Sequence, residues 1–94
     1  VMEGVYAVHP DFAAKATRGA PIAVGDSRPS DHGSQTFGIV FGDGRNRASA
    51  RGMLPDAQGY YTNTDYLDAQ HSRIDLVRQL MMEHRILFQT ASWG

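Results

Sequence analysis

Residues 65–85 read DYLDAQHSRIDLVRQLMMEHR and contain neither glycine nor proline. Thr62 and Asp65 stand at the start of this stretch with the spacing of a helix N-terminal capping pair, so it predicts one long amphipathic helix. The apolar half of that helix consists of Tyr66, Leu67, Ala69, Ile74, Leu76, Val77, Leu80, Met81 and His84. One small sheet would not cover a half this wide. We therefore expect part of it to contact a second subunit, and the protein to form a homo-oligomer, either a dimer or a larger assembly.

Short runs of β-branched and aromatic residues predict strands elsewhere in the chain. Such runs occupy residues 4–8, 21–24 and 36–41, and the last of these gives the strongest signal. Residues 86–93 fit either a last strand or a continuation of the long helix, because neither glycine nor proline interrupts them.

Glycine, proline and polar residues mark the connecting segments. Pro10 and three alanines, followed by Gly19, predict a two-turn helix over residues 12–18. Residues 25–34 are almost all loop-forming types and predict a long polar loop. The Gly-Asp-Gly sequence at 42–44 predicts a tight turn.

The order of these elements predicts an α+β fold in a single domain spanning residues 1–94. A chain of 94 residues is too short for two separate cores. We expect an antiparallel sheet with one short helix and one long amphipathic helix in the C-terminal half of the chain. The arrangement βαββαβ is one of several that have this order.

Composition excludes several classes of protein. Apolar residues make up 41% of the chain, charged residues 20%, and the net charge is -1, which excludes a disordered acidic tail and a strongly basic nucleic-acid arm. The absence of cysteine excludes a disulfide scaffold, a thiolate zinc site and a cysteine nucleophile. No run is apolar enough for a transmembrane helix or a signal peptide, so we expect a cytoplasmic protein with no membrane partner. We also expect no cofactor and no bound metal.

Residues 42–52, GDGRNRASARG, form an Arg-rich loop that contains Arg45, Arg47 and Arg51. Backbone amides exposed by glycines, together with guanidinium groups, are what recognition of a phosphate or carboxylate requires. The segment lacks the ending of a phosphate-binding loop and the dinucleotide fingerprint, so an exposed strand or loop with solvated arginines is the alternative. An acidic protein partner is a further interpretation.

Three more residues are candidates for binding a ligand or a partner. Tyr60 and Tyr61 are adjacent, so on an extended segment they point to opposite sides and at least one should be exposed. Tyrosine and arginine are frequent in binding hot spots. Arg73 falls within the apolar half of the long helix, where a charge must pair, reach outward or meet a partner.

Two other groups have the residue types of a catalytic or a metal site. The first is Ser30, Asp31, His32 and Ser34. It contains the parts of a hydrolase triad, but neighbours in sequence rarely meet in that geometry, so we favour a turn-forming loop. The second is Asp68, His71 and Asp75. Their spacing suits a divalent metal, but it is equally that of ion-paired residues on a solvated helix face, which we favour.

These observations favour a non-enzymatic binding protein, an inhibitor or regulator that contacts a protein partner or sequesters an anionic, nucleotide-like small molecule. Phage and mobile-element factors that block bacterial defence systems are of this size and lack recognisable motifs. The alternative is a small phosphodiesterase, nuclease or toxin. It would use His9 or His32 as general base and an arginine of the loop as phosphate clamp. The near-neutral charge and the lack of helix-turn-helix spacing argue against nucleic acid as a partner.

Overall fold

The computed structural model of the protein describes residues 1–13, 15, 17–64 and 72–92. In that part of the chain the elements are strand β1 (Ile22–Ala23), helix α1 (Asp31–Phe41), a short 3-10 turn (Ala48–Ala50), strand β2 (Tyr60–Tyr61) and helix α2 (Arg73–His84). β1 and β2 pair in parallel, with Ile22 opposite Tyr60 and Ala23 opposite Tyr61. The fold is therefore mixed α+β, as the sequence predicts, and β1 lies within the strand predicted at 21–24.

The sheet differs from the antiparallel one that the sequence predicts. Parallel neighbours require a crossover connection, and α1 lies in the connection between β1 and β2. Residues 36–41, expected to supply an antiparallel strand, belong to that crossover helix. The described residues therefore do not form the order βαββαβ.

Helix α1 replaces the strand predicted at 36–41 and the last part of the loop predicted at 25–34. Ser30 is its N-cap, and the Ser30 hydroxyl accepts a hydrogen bond from the Gly33 N–H over 3.0 Å. The buried residues of the helix are Gly33, Thr36, Phe37, Val40 and Phe41. Their spacing is that of one helix face, so the packing of this face outweighs the strand preference of the β-branched residues.

The main core is built around Phe37, which is 0% exposed. The centroid of its ring lies 5.0 Å from that of Phe12 and 4.7 Å from that of Phe41, and it meets Tyr61 edge-on at 6.5 Å. Gly59 lies against the Phe37 ring, where a Cβ atom would overlap it. The core thus joins α1 to β2 and to the N-terminal segment.

The N-terminal segment forms turns where the sequence predicts a strand at 4–8. Val5 is buried in the core, but the chain then turns: the His9 N–H donates to the Tyr6 carbonyl over 2.9 Å, and the Phe12 N–H donates to the His9 carbonyl over 2.8 Å. Pro10 has no N–H to donate to a neighbouring strand, so an extended pairing is disfavoured here.

The helix predicted over residues 12–18 is not formed by the described residues of that stretch. Lys15 and Arg18 form an isolated antiparallel bridge instead. The Arg18 side chain, only 6% exposed, donates four hydrogen bonds to backbone carbonyls. The acceptors are Pro55 at 2.8 Å, Phe12 and Gly19 at 3.1 Å, and Phe41 at 3.4 Å. A helix would use the Phe12 carbonyl in its own ladder, whereas here that carbonyl binds the guanidinium.

Helix α2 confirms the C-terminal part of the predicted long helix. Ser72 is its N-cap, and the Ser72 hydroxyl accepts from the Asp75 N–H over 3.1 Å. The helix ends at His84. Arg85 is its C-cap, with a left-handed backbone (φ 53°), and the Arg85 N–H donates to the Leu80 carbonyl. The predicted start at Asp65 lies outside the described residues, as do Tyr66, Leu67, Asp68, Ala69 and His71.

Part of the apolar half of α2 is exposed to solvent. Leu80 is buried, whereas Ile74 is 71% exposed and Met81 60% exposed. Residues 86–92 continue as neither the strand nor the helix that the sequence allows. Neither described helix has the length and the apolar character needed to cross a membrane.

Candidate ligand-binding cleft

The Arg-rich loop begins where α1 ends. Gly42 is the C-cap, and its N–H donates to the Gly38 carbonyl over 2.9 Å. Gly44 has a positive φ of 69°, which glycine adopts without strain. The Gly52 N–H donates to the Gly42 carbonyl over 2.8 Å, so both ends of the loop meet at the end of α1. Residues 45–51 are therefore a closed loop with a 3-10 turn, and the alternative of an exposed strand is wrong.

A network of charged groups holds the loop against the rest of the chain. Asp43 accepts from the Arg45 backbone N–H at 2.6 Å, and its carboxylate lies 3.6 Å from the Arg45 guanidinium. Asp56 lies 3.2 Å from the Arg51 guanidinium and 3.7 Å from the Lys15 ammonium. Lys15 also reaches Asp43 at 4.0 Å. Three cations and two carboxylates thus tie the Arg-rich loop to the rest of the chain.

An open cleft of about 650 Å³ lies beside the loop, a volume within the range of small-molecule sites. Its walls are the turn at residues 6–12, one side of α1 and the Arg-rich loop. The polar lining residues are Tyr6, His9, Asp11, Ser34, Gln35 and Arg51. Ile39 supplies exposed apolar surface, whereas Phe12 is 4% exposed and adds little. The cleft thus combines apolar contact area with a small number of polar groups.

The hydrogen bond that His9 makes determines which of its ring nitrogens carries a proton. Its Nδ1 atom accepts from the Asp11 backbone N–H over 3.2 Å. A ring nitrogen that accepts a hydrogen bond carries no proton, so the neutral ring carries its proton on Nε2. The His9 ring packs on Phe12 with centroids 5.1 Å apart. Nε2 is therefore a hydrogen-bond donor on a ring held in place by its neighbours.

Two other polar side chains of the cleft differ in how far they are already satisfied. The Ser34 hydroxyl donates to the Ser30 carbonyl over 2.7 Å and accepts from the Tyr6 N–H over 2.9 Å. Its only donor therefore already has a partner within the protein. The Oδ1 atom of Asp11 is buried and has no hydrogen-bond partner in the described part of the chain. This oxygen has no surface that a molecule in the cleft can reach, so it is not available as a ligand contact.

The three loop arginines take different positions. Arg51 lines the cleft and is the predicted binding residue that the structure places there. Arg45 and Arg47 lie on the same loop but do not line the cleft. Arg45 pairs with Asp43, and the Arg47 guanidinium donates to the Ser49 hydroxyl over 3.1 Å.

The remaining predicted binding residues lie elsewhere. Tyr61 is only 7% exposed and packs in the core, so little of its surface can meet a partner. Tyr60 is partly buried, and its ring stacks on His84 with centroids 5.2 Å apart at a second, apolar groove of about 280 Å³. Arg73 is exposed at the first residue of α2, although the sequence placed it within the apolar half of that helix.

The triad-like group is used for local structure. The Ser30 hydroxyl caps α1 and donates to the Gly4 carbonyl over 3.2 Å. The His32 ring contacts Glu3, and Asp31 lies in the first turn of α1. No described contact joins His32 to Ser30 or Ser34, so these residues do not form a catalytic triad.

The metal-like group on the long helix cannot be assembled from the described residues. Asp75 accepts from the Ser72 hydroxyl at 2.6 Å and from the Arg78 guanidinium at 3.4 Å, as an ordinary helix cap and ion pair. Asp68 and His71 lie outside the described residues. In the part of the chain that is described, no three His, Asp or Glu side chains are placed to hold a metal ion.

Sequence reasoning missed Tyr6, Asp11 and Gln35 as cleft residues, and it considered His9 only as a catalytic base. Their positions depend on the turn at 6–12 packing beside α1, and no spacing in the sequence reports that contact. Pro10 indicates the turn, but it does not indicate that the turn packs against α1.

The chain shows no significant match to a protein-family model, to a curated protein or to a solved structure.

Proposed function

We propose that the protein is a non-enzymatic binding protein that holds an anionic, nucleotide-like small molecule in this cleft, and that it acts as an inhibitor or regulator by sequestering it. The observation that carries the proposal is the place of Arg51, where the Arg-rich loop borders a cleft of about 650 Å³. A guanidinium at the edge of a cleft can bind a phosphate while the rest of the ligand packs inside.

The other cleft groups support the same ligand class. The Nε2–H of His9 is a second donor for a phosphate oxygen. Ile39, which is 66% exposed, provides apolar contact for a base or sugar.

A phosphodiesterase is the second candidate, because His9 and Arg51 line the same cleft. A general base needs an unprotonated ring nitrogen that faces the substrate. In His9 the unprotonated nitrogen is Nδ1, and it is occupied by the Asp11 N–H. This arrangement favours binding over proton abstraction.

Calorimetric titration with nucleoside monophosphates tests the proposal. Arg51→Ala is expected to weaken binding by roughly 10- to 100-fold, which is the value of one charge-assisted hydrogen bond. Arg78→Ala is the matched control, because Arg78 is also exposed and also pairs with an aspartate, Asp75, but lies on α2. It should leave the affinity unchanged.

Two outcomes would contradict the proposal. If the wild-type protein binds no nucleotide, an acidic protein surface becomes the alternative partner for the loop arginines. If the protein hydrolyses bis(4-nitrophenyl) phosphate and His9→Gln abolishes that turnover, the phosphodiesterase is correct.

We also propose that the protein self-associates through the exposed apolar side of α2. Ile74 and Met81 support this, because they are exposed and their spacing of seven residues places them on one side of the helix. Native mass spectrometry should show a dimer or larger assembly, and Met81→Glu should shift it towards monomer. A monomeric wild-type protein at micromolar concentration would contradict the proposal.

A further inference from the structure

The apolar groove of about 280 Å³ is separate from the cleft of the proposed function, and no residue lines both. It lies between strand β2, the end of α2 and the segment that follows α2. Phe88 is 52% exposed, and Tyr60 and Ile86 are partly exposed, so its walls offer apolar surface that another molecule can reach. The volume is close to the lower end of the range for small-molecule sites. The groove therefore suits a small ligand with an apolar body.

The ionisable side chains at the end of α2 give the groove a basic character. His84 and Arg85 line it, and the described lining residues include neither Asp nor Glu. The Arg85 guanidinium has no ion pair and no hydrogen bond within the described part of the chain. A guanidinium at the edge of an apolar groove can bind an anionic head group while the rest of the ligand packs inside.

The backbone of Arg85 is a second, independent observation. Among the described residues, it is the only one other than glycine with a positive φ, 53°. A side chain is strained in this conformation, so glycine is the usual residue after a helix end. The negative end of α2 attracts a cation, but His84 already stands in the last turn and gives that attraction without the strain. Helix capping therefore does not explain an arginine at this position, whereas a ligand contact does.

We propose that the apolar groove binds a small monocarboxylate with an apolar body, of the class of medium-chain fatty acids. Its carboxylate contacts the Arg85 guanidinium, and its chain packs along Phe88 and Tyr60. One permanent cation matches one negative charge, which favours a carboxylate over a phosphate monoester with about 1.5 to 2 negative charges. His84 adds an N–H donor at the same end of the groove, because a neutral imidazole carries one.

Calorimetric titration of the protein with octanoate and octanol tests the role of the charge. The wild type is expected to bind octanoate at least about tenfold more tightly than octanol, which has the same chain length and no charge. Arg85→Gly should lower the octanoate affinity by at least about tenfold and leave the octanol affinity unchanged. Its melting temperature should be no lower than that of the wild type, because glycine adopts the left-handed backbone without strain. A residue that only caps the helix would not combine these two results.

Matched variants test where the ligand lies. Arg78→Ala is the control for charge, because Arg78 is exposed on α2 but does not line the groove, and it should leave both affinities unchanged. Phe88→Ala should weaken the binding of octanoate and of octanol, since both use the apolar wall. Met82→Ala is its control, because Met82 is 75% exposed on α2 and does not line the groove.

Several results would overturn the inference. These are a dissociation constant for octanoate above about 1 mM, equal affinities for octanoate and octanol, or wild-type octanoate affinity in Arg85→Gly or Phe88→Ala. Circular dichroism checks the fold of each variant, and if Arg85→Gly does not fold, the comparison of octanoate with octanol decides. Arg51→Ala should leave the octanoate affinity unchanged, so the groove and the nucleotide cleft succeed or fail separately.

Discussion

Helices α1 and α2 are alike as local structures and different in how they pack. They have 11 and 12 residues, and each begins after a serine N-cap and has an aspartate in its first turn. Yet α1 has five buried residues, whereas α2 has one, Leu80. Local signals are therefore enough to form a helix, but contacts with the rest of the chain decide whether the helix becomes part of the core.

The largest expected effect compares one buried residue from each helix. Phe37→Ala removes the ring at the centre of the aromatic core, and we expect it to lower the free energy of unfolding by about 3–5 kcal/mol. Leu80→Ala should lower it by about 2–3 kcal/mol, because fewer neighbours surround this side chain. Urea unfolding followed by circular dichroism measures both. Equal losses would show that α2 is packed as firmly as α1.

Two arginines extend the comparison of α1 and α2 to polar side chains. Arg18→Met leaves four backbone carbonyls without their donor, including that of Phe41 at the end of α1, so we expect a loss of about 2–4 kcal/mol. Arg78→Met removes an exposed ion pair with Asp75 on α2 and should cost less than about 1 kcal/mol. The midpoints of urea unfolding give both values. A similar loss in the two variants would contradict a structural role for the Arg18 hydrogen bonds.

The two helix caps should differ by a smaller amount. Ser30→Ala removes the cap of α1 and also the bond from the Ser30 hydroxyl to the Gly4 carbonyl, so we expect a loss of about 2 kcal/mol. Ser72→Ala removes an exposed cap of α2 and should cost about 0.5–1 kcal/mol. Thermal unfolding of the two variants decides the order, and a larger loss at Ser72 would reverse the comparison.

The smallest effect concerns an ion pair that precedes α1. The Arg28 side chain, and then its backbone N–H, donate to Asp26 and lower the pKa of that carboxyl below its usual value. A lowered pKa in the folded state stabilises the protein at neutral pH, and the contribution is lost as the pH falls through the lowered value. The stability difference between wild type and Asp26→Asn should therefore shrink as the pH falls below the ordinary aspartate pKa of about 4. Melting temperatures across that range measure it, and a constant difference would exclude the linkage.

The sequence predicts some elements well because their signals are local. The part of the long helix at Arg73–His84 follows from a run without glycine or proline, and the strand at Ile22–Ala23 from a short apolar run after Pro21. The closed loop after α1 is one of the two alternatives that its composition allows, the other being an exposed strand.

The sequence misleads at 36–41, where the residues have both a strand composition and the spacing of a helix face. A window of six residues cannot separate the two, and the cap at Ser30 that decides for a helix lies in a stretch typical of a loop. The cleft is the other feature that the sequence does not predict. His9 and Asp11 line the cleft because the turn at 6–12 packs beside α1, and such a contact between distant segments leaves no periodic signal.

The hydrogen bonds of Arg18 also constrain how the chain can fold. Its acceptors come from three stretches of the sequence: Phe12 and Gly19 beside it, Phe41 at the end of α1, and Pro55 beyond the Arg-rich loop. A guanidinium that is buried before the carbonyls of all three stretches are in place is a charge without hydrogen-bond partners. Partly folded states that bury it are therefore high in energy. The residue should make unfolding an all-or-none event, in which the turn at 6–12, α1 and the loop form and melt together.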